Sequence, residues 1–128
     1  MSDKLFSLGK LCIDSKNFKW LPGMLAQYYD DRDVSLVHET RIEVSPARRS
    51  AYENEGANSV VVPNVADPAT QGCILSLIRE SVDDPYASLL YRADKNVWEV
   101  RSPWIDSDVA QSDNFSGEAL VRALYHID

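Results

Sequence analysis

Cysteine and histidine are scarce in this chain, and their scarcity closes off several chemistries before any motif is read. Only Cys12, Cys73, His38 and His126 occur in 128 residues. They offer neither zinc-ligand spacing nor a disulfide framework, so no metal and no cofactor is expected. Cys73 lies in the apolar run CILSLI, where a free thiol behaves as a small hydrophobe. No apolar run is long enough to span a bilayer, and no secretory signal pattern opens the chain, which makes the cytoplasm the default compartment. A Gly-rich phosphate cradle is also missing. Ser59, Ser76, Ser88 and Ser116 lack the strand-to-helix turn that exposes a nucleophilic serine.

Basic residues are the other shortage. Thirteen Lys and Arg stand against twenty Asp and Glu, a net charge of −7. Binding to nucleic-acid phosphates relies on Lys and Arg displacing counterions, so direct nucleic-acid binding is not expected. The acidity suits a basic partner, and it also serves solubility alone. The length fits one domain, 1–128, that buries about two-thirds of the surface its unfolded chain exposes.

The most legible segment is NVADPATQGCILSLIRESVDDPYASLLYR, Asn64 to Arg92. Asp67 suits an N-cap and Pro68 a first helical position, where its missing N–H would have had no partner. The helix then runs through an almost wholly apolar stretch and stops near Ser81 to Asp84, ahead of Pro85. Gly72 within it suggests close approach to a neighbouring element. Beyond Pro85, ASLLYR (Ala87 to Arg92) and VWEVR flank a turn-rich ADKN and read as a β-hairpin, with Trp98 and Val100 on one face and Val97, Glu99 and Arg101 on the other, a face at least partly wet. A last helix is capped by Ser116, with Phe115 and Leu120 as a hydrophobic staple and Leu120, Val121, Leu124 and Ile127 as its apolar stripe. His126 suits the negative end of that helix.

The first half reads as strands and loops. In LPGMLAQYY, Pro22-Gly23 signals a turn and the apolar segment after it a strand, and VSLVHETRIEV is an alternating strand with Leu36, His38, Thr40, Ile42 and Val44 on one face. SPARRSAYENEGANS reads as a long loop with room for a helical turn, followed by a short VVVP strand. The expected fold is α+β, with a mainly antiparallel sheet of about five or six strands and two principal helices, 68–82 and 116–127, packed on one face.

Four pieces of the chain, WLPGML (Trp20 to Leu25), PNVADPATQGCILSLIRE (Pro63 to Glu80), DPYASLLY (Asp84 to Tyr91) and GEALVRAL (Gly117 to Leu124), resemble small proteins of phages and prophages. About a third of the residues carry the likeness. It departs most in the first dozen residues and in ARRSAYENEGANS. The resemblance implies a home on a mobile element, a phage genome or an integron gene cassette, and brings no activity with it.

Candidate functional residues are few. On the 34–44 strand, Glu39, Arg41 and Glu43 share one face and His38 the other, which separates the histidine from its nearest acid and speaks against an acid–base pair. The clusters Asp30, Asp31, Asp33; Asp83, Asp84; and Asp106, Asp108, Asp113 lack the Gly and terminal Glu of a calcium loop and read as solvated turns. Aromatics are the stronger hint, since Trp and Tyr serve as rigid anchors in binding surfaces. Trp104, between Pro103 and Ile105 in a polar loop, and Tyr52, near Arg48 and Arg49, are the candidate contacts. For Trp104 the alternative is that it folds back over the Trp98 hairpin.

Three functional readings follow. The first is a small noncatalytic interaction protein of a mobile element that binds a protein partner or itself, away from any membrane. The second is a small-molecule binder or enzyme with a pocket between the sheet and the Asp67 helix, and His38, Glu39 or Arg41 at its mouth. The third is an acidic nucleic-acid mimic that occupies a host protein.

Overall fold

The computed structural model describes residues 2–30, 33–43 and 61–127. Among the described residues, three helices and six strands follow in the order α1 (Ser2–Asp14), β1 (Leu25–Asp30), β2 (Asp33–Arg41), β3 (Val61–Pro63), α2 (Pro68–Val82), β4 (Ser88–Arg92), β5 (Val97–Arg101), β6 (Gln111–Ser112) and α3 (Ser116–His126). The α+β class, the antiparallel pairing and both expected helices are present. The single sheet is not. The strands form two three-stranded sheets, β2-β1-β3 and β4-β5-β6. Each sheet is assembled from antiparallel neighbours on its own side of α2, so the helix divides the strands in sequence and, among the described residues, no strand pairs across it.

α1 replaces the loops and strands expected at the start of the chain. Leu5, Leu8 and Cys12 recur at helical spacing, Leu8 and Cys12 are buried, and Leu5 packs against the core. Gly9, one position past Leu8, seats the helix on β3. A Cβ there would stand 2.8 Å from Val62 Cβ and 2.7 Å from the Pro63 carbonyl oxygen. The Pro22-Gly23 turn is present, with Gly23 at φ 100 and the Met24 N–H donating to the Leu21 carbonyl, as a type II turn requires.

α2 begins as its residues dictate. The Asp67 carboxylate accepts the Thr70 N–H at 2.9 Å, and Pro68 opens the helix. It ends at Asp83 in the left-handed conformation (φ 54), with the Asp83 and Asp84 N–H groups donating to the Glu80 and Arg79 carbonyls. Its buried face is Thr70, Ile74, Leu77 and Ile78. Gly72 lies outside that face. A Cβ on it would meet nothing within 4 Å, which overturns the expected close approach.

α3 packs on α1, on α2, and on β5 and β6. Residues Gly117 to Val121, with Ala123 and Leu124, are buried. The expected cap moves by one residue. Phe115 occupies the N-cap position without a side-chain bond, while the Ser116 hydroxyl donates to Gln71 Oε1 on α2 at 3.0 Å. Ser116 is drawn away because Gln71 is itself tied by its amide to the Val65 carbonyl. At the other end the orphan carbonyls of Leu124 and Ile127 are met by the Ser15 hydroxyl and the Asn17 amide, from the turn after α1. His126 is not needed there.

Gly117 and Gly72 have opposite steric surroundings. A Cβ at Gly117 would fall onto the Val65 carbonyl oxygen and within 2.6 Å of the Phe115 ring. Gly117→Ala is expected to cost about 1–3 kcal/mol through overpacking, and Gly72→Ala to add up to about 1 kcal/mol through helix propensity. Urea denaturation of the two variants measures both; a stabilised Gly117→Ala would contradict the packing described.

Candidate interaction surface

The residues singled out in the sequence do not converge on one place. Tyr52, Arg48 and Arg49, with the rest of the ARRSAYENEGANS segment, lie outside the described residues. His38 stacks on Tyr28 across the β1–β2 pair, with ring centroids 5.3 Å apart and planes 19° apart. Glu39 is exposed and accepts from the Asn64 amide at 3.4 Å. Arg41 forms a fork with the Asp67 carboxylate, at 2.6 and 3.2 Å, and donates to the Gly23 carbonyl at 3.0 Å.

That fork occupies the place where a pocket mouth was expected. Partial burial would raise the Asp67 carboxyl, but hydrogen bonds from Arg41 and from Thr70 outweigh it and hold the group below the usual carboxylate range. Asp67 thus caps α2 and ties it to β2 at once. Nearby Cys73 is no poised nucleophile. Its pKa is raised, first by burial and then by Asp67, against the opposing pull of Arg41. Burial pushes Cys12 up to about 12. Both cysteines are free, and among the described residues no group of three or more His, Cys, Asp or Glu is gathered as metal ligands would be.

Trp104 is 72% exposed and does not fold over Trp98. Trp98 instead packs edge-on against Tyr91, at 5.3 Å. Tyr86, which nothing in its sequence context separated from most other tyrosines, is 85% exposed. Its one distinguishing signal was its position directly after Pro85, in the turn between α2 and β4.

A single side-chain contact sets these two rings on one surface. The Ser102 hydroxyl donates to Asp84 Oδ2 at 2.7 Å, joining the turn after α2 to the loop after β5. The other Asp84 oxygen accepts the Tyr86 N–H at 2.9 Å, and Ser102 Oγ accepts the Trp104 N–H at 3.3 Å. Ser102 is buried and both aromatics follow it or Asp84 by two residues, so the exposed rings stand on anchored backbone.

Between the rings lies an open groove of about 360 Å³, floored by Ser88 and Leu90 of β4 and bordered by Arg101 and Pro103. On the other side of Trp104 a second groove of about 290 Å³ runs over Val82, Ile105, Val109, His126 and Ile127. A third, of about 350 Å³, lies apart beside Lys4, Leu5, Ala66 and Phe115. None of the three is lined by His38, Glu39 or Arg41.

Some of the remaining carboxylates are committed within the fold. Glu99, on the hairpin face expected to be wet, is buried between Arg92 and Arg101, at 3.5 and 3.2 Å. Asp106 accepts the Asp108 N–H in a local turn. No helix among the described residues is long and apolar enough to cross a membrane. Comparison with protein-family models, with curated proteins and with solved structures finds no match to the chain.

Two outcomes test the geometry. Ser102→Ala is expected to lower stability by about 1 kcal/mol, as loss of a partly buried hydrogen bond does, with faster amide exchange confined to residues 84–86 and 102–105. Because Asp67 is depressed in the folded state, its contribution is present above the unfolded carboxylate range and is lost as pH falls below about 4. Acid titration of Asp67→Asn should therefore show a shallower loss of stability than the parent in that window.

Proposed function

We propose that the chain is a small noncatalytic interaction protein whose docking face is the surface carrying Tyr86 and Trp104. The observation that supports it is the exposure of two large aromatic rings on backbone fixed by the Asp84–Ser102 bond, on either side of a groove. Rigid, amphipathic rings give large contact area at small entropic cost when they bind. We extend the proposal to a place on a mobile element, which the sequence resemblance to phage and prophage proteins implies.

The other two readings draw less from the same geometry. Arg41 is spent on Asp67, and Glu39 faces Asn64, which leaves a catalytic pocket at the α2 N-terminus without its intended residues. An imitation of a nucleic-acid backbone needs unpaired surface carboxylates. Asp67, Glu99 and Glu118, which are held against arginine or lysine, add nothing to such a surface.

The test is the double variant Tyr86→Ala/Trp104→Ala, measured for association by sedimentation velocity and for stability by thermal melting. Both rings are exposed, so an unchanged melting temperature with lost association is expected. Association equal to that of the parent would remove this face from consideration.

A further inference from the structure

We propose that the partner at this face is a second copy of the chain, joined through the free edge of β4 to make a continuous six-stranded antiparallel sheet. The proposal deepens the reading of the Tyr86–Trp104 face as a docking surface, and it rests on that reading.

β4 is the end strand of its sheet, and among the described residues its outer side has no partner strand. Such an edge presents a row of unpaired N–H and C=O groups, which proteins usually blunt with proline, bulges, lysine or inward-pointing charge. β4 has none of these. Its sequence is Ser88-Leu89-Leu90-Tyr91-Arg92, its register with β5 is unbroken from Ser88–Arg101 to Arg92–Val97, and its one charge lies at its last residue, paired with Asp94.

The same five residues complement themselves. A two-fold axis through Leu90 sets Leu90 opposite its own copy, Leu89 opposite Tyr91, and Ser88 opposite Arg92. Each side chain then meets one of the same face, no like charges stand opposed, and the Leu89–Tyr91 pair recurs twice, an aliphatic–aromatic match that favours antiparallel pairing. Tyr91 is 48% exposed although its neighbours on that face, Leu89 and Val100, pack in the core. The partner's Leu89 would cover it. Leu90 and Ser88 also floor the groove between Tyr86 and Trp104, so the pairing brings two such grooves together and places both pairs of exposed rings along the seam.

Directly opposed residues in an antiparallel pair have Cβ atoms about 4.5–5.5 Å apart, near the separation a disulfide takes. In a Cys73→Ser background, Leu90→Cys treated with diamide should give a covalent dimer rapidly. Ser88→Cys alone should cross-link at least about tenfold more slowly, because its copies stand four residues out of register, roughly 13 Å apart. A mixture of Ser88→Cys and Arg92→Cys chains should form the mixed dimer. Without cross-linking, Leu90→Lys puts like charges on the axis and should weaken association about tenfold or more by sedimentation velocity, with the melting temperature retained. Equal cross-linking of Leu90→Cys and Ser88→Cys, or a parent chain that stays monomeric at all concentrations, would overturn the pairing. If the parent associates and Tyr86→Ala/Trp104→Ala abolishes association while Leu90→Lys does not, the edge pairing falls and the docking face stands.

Discussion

The structure depends on the seating of the first turn of α3. Gly117 lies so close to the Val65 carbonyl that no side chain fits between them, and one residue later Glu118 enters the interior as a carboxylate. Burial alone would raise that carboxyl, but the Ser112 hydroxyl at 2.6 Å, Arg122 and Lys4 hold it below its ordinary value. A buried charge is tolerated only when it is paired and hydrogen-bonded. Glu118 therefore joins β6, through Ser112, and α1, through Lys4, at the point where α3 starts. With Ser15 and Asn17 closing its other end, α3 is held at both termini by residues distant in sequence, and both sheets are fixed relative to it through α1, β5 and β6.

Charge in this acidic chain is organised as a set of such ties. Asp67 with Arg41 joins α2 to β2, and Glu99 between Arg92 and Arg101 binds the hairpin across its face. In each case the carboxylate is the more buried partner and the cation reaches it from solvent, which keeps the long basic side chains in water while they cover polar interior. Pairing removes one charge of each sign, so these ties leave the net charge of −7 on carboxylates elsewhere on the protein.

What the sequence disclosed was local. Asp67, Pro68 and the left-handed stop at Asp83 are dictated by neighbours within four residues, and α2 follows from them. The hairpin is as local, since its strands are joined by the four residues Ala93 to Asn96 and Asn96 supplies the positive φ its turn requires. Features that depend on distant partners were not legible. Ser116 has the form of a cap, and only the presence of Gln71, forty-five residues away, assigns its hydroxyl elsewhere. Gly72 and Gly117 look alike as helical glycines, yet one faces solvent and the other a carbonyl. α1 did carry a readable signal in Leu5, Leu8 and Cys12, although Gly9 between them weakens the helix by propensity while permitting its contact with β3. The division into two sheets is the same kind of fact, because hydrophobic alternation marks a strand without naming its neighbour.

The candidate surface shows the same limit, and also why it suits association. Trp104 was legible as an aromatic in a polar loop. Tyr86 was not, because its exposure follows from the meeting of two loops eighteen residues apart at the Asp84–Ser102 bond. That bond lies outside the hydrophobic core, so it can fix the loops without drawing the rings inward. Anchored backbone beneath an exposed ring has already lost freedom that binding would otherwise remove, a condition that helps a modest area yield useful affinity. The anchor lies at the N-terminal end of β4, the strand that ends its sheet among the described residues. Hydrogen bonds along an edge recognise any extended chain, whereas aromatic side chains beside it select among them. In the proposed pairing, the adjacency of the two would make the face specific, and the self-matching order of Ser88 to Arg92 would direct that specificity toward another copy.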